Sequence, residues 1–185
     1  HGGSLRVFAA RADAAQHPQA TPEGAARVQQ VLAEEATAGM LEPHFYSDFQ
    51  AQAIRIKREL LTFLLQCQAQ GLTVGAYGAA AKGNTLLNFA GVRPDLLPYV
   101  VDKNPAKQGQ YLPGTRIPIG AEAHLRAHQP DRVLILPWNL RDEVVAQLCH
   151  VRDWGGQFVV AVPQLEVFSY YSLFRDQGAL NHDQQ

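Results

Sequence analysis

The chain has 185 residues, 46% of them hydrophobic and 18% charged, with a formal net charge of −1. That is enough apolar chain for one α/β domain with a proper core plus some extra helix, and it excludes a disordered polymer. The near-neutral balance gives no electrostatic reason to expect nucleic acid or an anionic membrane surface as partner. No apolar run approaches the roughly 20 residues that span a bilayer.

The start reads "HGGSLRVFAA", without an initiator methionine, and Leu5, Val7 and Phe8 give it strand character at once. A chain that begins mid-structure reads as a piece of something longer. A polar, alanine-rich connector broken by Pro18 and Pro22 follows. Thr21 before Pro22 is a hydroxyl N-cap ahead of a proline in the first helical turn, so the spacing predicts a helix that stops near Gly39. A longer helix is predicted in "HFYSDFQAQAIRIKRELLTFLLQCQAQG", where Phe45, Phe49, Ala53, Ile56, Leu60 and Leu64 form one apolar stripe and Gly71 makes the stop.

From Leu72 onward short apolar runs alternate with helical patterns. "LTVGAY", "LPYVVD", "RVLILPW" and "QFVVAVP" read as buried strands, the last of these closing the sheet, and "TRIPI" as an edge strand next to Pro118. "AKGNTLLNFAGV", "AEAHLRAHQ" and "RDEVVAQLCHVRDWG" read as the helices between them. This alternation predicts an α/β fold, a Rossmann-like three-layer domain with a mostly parallel sheet, preceded by a strand and two helices. The division expected is 1–43 for the opening strand, connector and first helix, 44–168 for the sheet domain with its leading helix, and 169–185 for a tail that starts aromatic and ends polar. Cys67 and Cys149 lie far apart without metal-ligand spacing. With no signal peptide at the start, they read as reduced thiols of a cytoplasmic protein.

The candidate site is the first strand's exit, "VGAYGAAAKGN". In an open parallel sheet ligands gather at the carboxyl ends of strands, and a helix start there carries partial positive charge that suits a phosphate. Gly75, Gly78 and Gly83 leave room for close approach to backbone N–H groups, Lys82 adds a full charge, and Asn84 follows. Asp102 ends the second strand, where a dinucleotide fold places its ribose-binding acid. The glycine spacing is neither G-x-G-x-x-G nor a P-loop, and a tight strand-to-helix contact needing small residues explains the same glycines. Trp138 and Asn139 leave the carboxyl end of "RVLILPW". An indole there can stack on a base and an amide can bond a sugar, or the pair can simply cap the core and the next helix. His124 and His128 share a helix face but lack the zinc-protease glutamate, since Leu125 stands in its place, and they read as a solvated face. Arg116 reads as part of a turn. No nucleophile motif is present, so no catalytic residue and no metal ligand is assigned.

"GAYGAAAKGNTLLN", "VVDKNPAKQGQYLPGTRIPI", "VLILPWNLRDE" and "WGGQFVVAVP" together resemble the C-terminal domain of the S-adenosylmethionine-dependent nucleotide-sugar C-methyltransferases, and "HGGSLRVF" resembles the join before it. The resemblance reaches about Val167. It implies a longer parent in which a cysteine-rich zinc module and an S-adenosylmethionine-binding domain precede this one. It also implies a general base in an upstream Tyr-x-Glu-His stretch. That base makes an enolate of a nucleoside-diphosphate deoxyketosugar, and the enolate attacks the activated methyl group. This chain then carries no base and binds no cofactor, and His1, Ser4 and Arg6 lie near an interdomain cleft. Its implied role is to hold the nucleotide handle, a thymidine-diphospho sugar by expectation. Gly78, Lys82, Gly83 and Asn84 would lie on the diphosphate, with Asp102, Trp138 and Asn139 near the nucleoside or sugar. Two other readings stay open: a free-standing dinucleotide-binding module, and a non-catalytic scaffold domain whose glycines only pack.

Overall fold

The computed structural model describes residues 5–9, 11 and 21–173. His1, Ser4, most of the connector and the tail beyond 173 lie outside the described residues. The chain forms two compact units, His1–Ala53 and Ile54–Gln185.

In the first unit, α1 (Pro22–Thr37) begins as its sequence directs. The Thr21 hydroxyl accepts the Gly24 N–H at 3.1 Å, and Pro22 occupies the first turn, where a missing N–H costs nothing. Gly39 follows at φ +80°, a left-handed position that suits a residue without Cβ. The opening segment differs from expectation. Residues 5–9 form no strand, and Leu5, Val7 and Phe8 are exposed. A strand needs a ladder partner, and none is paired with it among the described residues. Phe45 lies in a 3₁₀ turn, Pro43–Tyr46, ahead of the second helix, α2 (Phe49–Ala69). The apolar stripe therefore works only in its later part, where Leu60 and Leu64 are fully buried and Phe45 and Phe49 are exposed.

The second unit carries a six-stranded sheet. Its elements, in chain order after α2, are β1 (Val74–Tyr77), α3 (Ala81–Ala90), β2 (Val100–Val101), β3 (Ile119–Gly120), α4 (Ala123–His128), β4 (Arg132–Ile135), α5 (Arg141–Gln147), β5 (Gln157–Val160) and β6 (Glu166–Phe168). The strand order is β3-β2-β1-β4-β5-β6, parallel except for β6, which returns antiparallel to β5. This is the order of a Rossmann-like doubly wound sheet. Alternation along each strand builds two cores. Ala76, Val100, Leu134 and Val159 face Leu60 and Leu64 of α2 and Leu87 of α3 on one side. Tyr77, Val101, Val133, Ile135 and Phe158 face Leu125 of α4 and Val144, Val145 and Leu148 near α5 on the other. The three layers follow, because a parallel sheet must bury both faces.

Three details depart from the sequence reading. The edge strand is Ile119–Gly120, just past Pro118, whose lost N–H is harmless there because its carbonyl still accepts from Val100. The pattern "RDEVVAQLCHVRDWG" splits into α5 and a 3₁₀ segment, Cys149–Trp154. Finally, the sheet does not end at "QFVVAVP", for β6 pairs Phe168 with Phe158 and Glu166 with Val160. Among the described residues no helix is long and apolar enough to cross a membrane. Cys67 is buried, Cys149 is half-buried, and both are free thiols.

Candidate functional site

The crevice of such a sheet opens where the connections part, between the carboxyl ends of β1 and β4. The chain leaves β1 through Gly78, Ala79 and Ala80. Gly78 has φ +91° and donates its N–H to the Val101 carbonyl at 2.7 Å. The Ala79 N–H goes to Asp102 Oδ2 at 2.7 Å. Ala80 is the N-cap of α3 but offers no side-chain acceptor. The first intrahelical bond runs from the Asn84 N–H to the Ala80 carbonyl. The helix thus starts uncapped in the crevice, its first-turn N–H groups directed as a helix start directs them, toward a site that favours an anion.

Of the two jobs open to the glycines, an open cradle or close strand-to-helix packing, their surroundings fit the second. A Cβ on Gly78 would come within 2.5 Å of Pro137 Cδ, one on Gly83 within 2.5 Å of Leu136 Cβ, and one on Gly75 within 2.6 Å of the Tyr99 hydroxyl. The space vacated by the three side chains is filled by protein. These residues let β1, the loop and α3 press against β2 and β4 and bring the helix start to the crevice. They do not themselves form an open cradle.

The structure brings Lys82 and Trp138 together. The half-buried Lys82 holds its amine 4.9 Å from the indole centroid, a cation–π contact worth about 0.5–1 kcal/mol at such a site. Trp138 and Asn139 form a 3₁₀ turn, Trp138–Leu140, after β4. Beside them opens a cleft of about 410 Å³ lined by Trp138, Asn139, Leu140, Arg141, Asp142 and Glu143. Oδ1 of Asn139 is buried without a partner, an acceptor that a ligand donor would satisfy. Arg141 is committed elsewhere, bound to Glu166 at 2.7 Å and to Asp142 at 3.3 Å, with its guanidinium over Phe168. With Asp142 and Glu143 on the rim, this cleft suits hydroxyl donors of a sugar better than phosphate.

Asp102 and Asn84 are occupied. The Asp102 carboxylate accepts from Ala79 N, from Asn104 N at 2.8 Å and from the Lys107 amine at 3.0 Å. Asn84 accepts from Asn88 Nδ2, which also donates to the Pro113 carbonyl and so ties α3 to the "PGT" turn. Lys107 is the residue that sequence reasoning missed. Its signal is the stretch "DKNPAK", where an Asx turn folds a lysine back toward the aspartate that opens it.

At the amino end of the sheet a second cavity of about 480 Å³ includes Leu64, Leu72, Tyr99, His124 and His128 in its lining. The histidine pair is not simply a solvated face. His128 is exposed, but His124 is half-buried, stacked on His128 at 3.8 Å and edge-on to Tyr99 at 4.5 Å. Burial, and secondarily the His128 charge, holds His124 below the ordinary imidazole range. Among the described residues no three His, Cys, Asp or Glu side chains come together as a group that could hold a metal ion.

Strand order, crevice and uncapped helix together define a doubly wound α/β domain with its open end at the switch point. The chain belongs to the C-methyltransferase C-terminal domain family, whose model matches residues 1–163. It is 36% identical over 169 residues to the C-methyltransferase NovU of Streptomyces niveus. That match covers 91% of this chain and 39% of the relative, so the chain spans about two fifths of the relative's length. The family inferred from the sequence motifs is thereby borne out.

Proposed function

We propose that this chain is the substrate-binding domain of an S-adenosylmethionine-dependent C-methyltransferase and that it holds a nucleoside-diphosphate deoxyketosugar by its nucleotide handle. The observation that carries the reading is the uncapped start of α3 at the switch point, with Lys82 poised over Trp138. The diphosphate lies at the first turn of α3, against the N–H groups of the Ala81–Gly83 turn and the Lys82 amine. Gly78 and Gly83 serve by letting that turn approach, and Asn84 by fixing α3. Trp138 and Asn139 meet the base or sugar in the adjoining cleft. Asp102 stands at the nucleoside end and acts through the loop that it holds. Binding energy from the handle, remote from the reacting carbon, positions that carbon for methyl transfer.

In this reading the general base, the zinc module and the S-adenosylmethionine site belong to the preceding part of a longer cytoplasmic protein, and the chain alone transfers no methyl group. The S-adenosylmethionine of the longer protein supplies the activated methyl. Asp102, the acid at the place where a dinucleotide fold binds ribose, is already engaged by three hydrogens of the protein itself. The same engagement weighs against a free-standing dinucleotide module. A scaffold role is favoured by one observation, the filling of all three glycine positions by Pro137, Leu136 and Tyr99. Titration with a thymidine-diphospho sugar separates the two: saturable binding weakened by Lys82→Ala supports the handle reading, and no binding at millimolar concentration supports the scaffold.

A further inference from the structure

Both backbone polar groups of Ala79, at the crest of the loop, are held by one ion pair. Its N–H donates to Asp102 Oδ2, and its carbonyl accepts the Lys107 amine at 2.9 Å. The same amine donates to Asp102 Oδ2 at 3.0 Å. Lys107 is itself delivered by a folded turn. Asp102 Oδ1 accepts the Asn104 N–H, Asn104 Oδ1 accepts the Ala106 N–H at 3.0 Å, and Gln108 donates to the Asp102 carbonyl at 3.0 Å. The pair is partly shielded from water, with the Asp102 side chain 12% and the Lys107 side chain 40% exposed. Its charges are therefore felt more strongly than those of a surface pair.

Position gives this pair a consequence for anions. Asp102 is hydrogen-bonded to the residue two before α3, so an unbalanced carboxylate there would oppose any phosphate drawn to the helix start. We infer that Lys107 is the positioning and charge-balancing residue of the anion site at the start of α3. It fixes both polar groups of Ala79 just ahead of the helix start, where the Ala80 N–H is already taken by the Gly78 carbonyl, and it cancels the Asp102 charge beside the N–H groups of the Ala81–Gly83 turn. The inference rests on the nucleotide-handle reading above. Lys82 meets the ligand, whereas Lys107 acts through Ala79 and Asp102.

The test compares the unaltered chain with Lys107→Met and Lys107→Arg. Thymidine diphosphate is titrated in low and moderate salt, and amide hydrogen exchange is measured without ligand. Lys107→Met should weaken thymidine diphosphate binding by about ten-fold or more, with the larger loss at low salt. It should also speed exchange of the Ala79 N–H while leaving core amides protected. Lys107→Arg, which keeps the charge, should retain more of the affinity than Lys107→Met. If Lys107→Met does not fold, Lys107→Arg and the double variant Asp102→Asn/Lys107→Met carry the test. In the double variant no unbalanced charge remains, and low-salt affinity should return toward that of the unaltered chain. Thymidine diphosphate binding by the unaltered chain that is insensitive to Lys107→Met, or to the salt comparison in the double variant, overturns this inference alone. No binding by the unaltered chain overturns the handle reading and this inference with it.

Discussion

A single added carbon is a sharp probe of how the loop is built. Gly83→Ala would set a Cβ 2.5 Å from Leu136 Cβ, and neither helix nor strand can yield without disturbing β4. A cost of about 1–3 kcal/mol is expected, read as a lowered melting temperature, and an unchanged one would show that α3 has room to shift. Tyr99→Phe runs the other way. Its hydroxyl is buried without a partner, and burial pushes its ionisation up to about 12, so it stays a neutral, unsatisfied group in any ordinary buffer. Removing it should leave stability equal or raised by up to about 1 kcal/mol. His150 has both ring nitrogens buried and unpartnered. Burial first, then the nearby Arg126 charge, holds it below its ordinary value of 6.5. Below about pH 6.5 the unfolded chain takes up a proton that the folded chain resists. The His150 contribution is therefore full above that pH and is lost as pH falls through it. Urea midpoints taken from about pH 7 to pH 5 should fall more steeply for the unaltered chain than for His150→Leu, and parallel slopes would remove His150 as a cause.

At the scale of elements, legibility follows how much of an element's reason for existing lies in its own residues. The start of α1 is local chemistry, a threonine and a proline, and it is where the sequence puts it. The strands of the parallel core announce themselves as apolar runs. The segment 5–9 has equally apolar residues but pairs with no strand among the described residues, and partners are not written in a strand's own sequence. The strand β6 fails in the opposite sense, since three residues become a strand only because β5 is there to receive Phe168 and Glu166. The glycine loop was legible as the turn from β1 into α3, but the way it is filled was not. Pro137, Leu136 and Tyr99 reach it from other strands. Lys107 escaped notice because one of its targets, the Ala79 carbonyl, belongs to the neighbouring strand's exit, and only the local turn to Asp102 is written in its own stretch. The helix α2 is the strongest mechanical test at this scale. Leu60 is fully buried against the sheet, so Leu60→Ala should cost about 2–5 kcal/mol. A loss below about 1 kcal/mol would mean that α2 covers the sheet far less than its burial implies.

For the whole molecule, a near-neutral chain would meet an anionic ligand through a local arrangement rather than a global field. Net charge is −1, so attraction must come from one helix start and one lysine. The chain belongs to the C-methyltransferase C-terminal domain family. The contribution proposed for the domain rests on the crevice between β1 and β4. The most direct measurement is a titration of the chain with thymidine diphosphate followed by backbone amide resonances. The account predicts saturable shifts concentrated at Ala81, Lys82 and Gly83, with smaller ones at Trp138 and Asn139, all weakened by Lys82→Ala. Shifts confined to the amino end of the sheet around His124 and His128, or none at millimolar ligand, would contradict it.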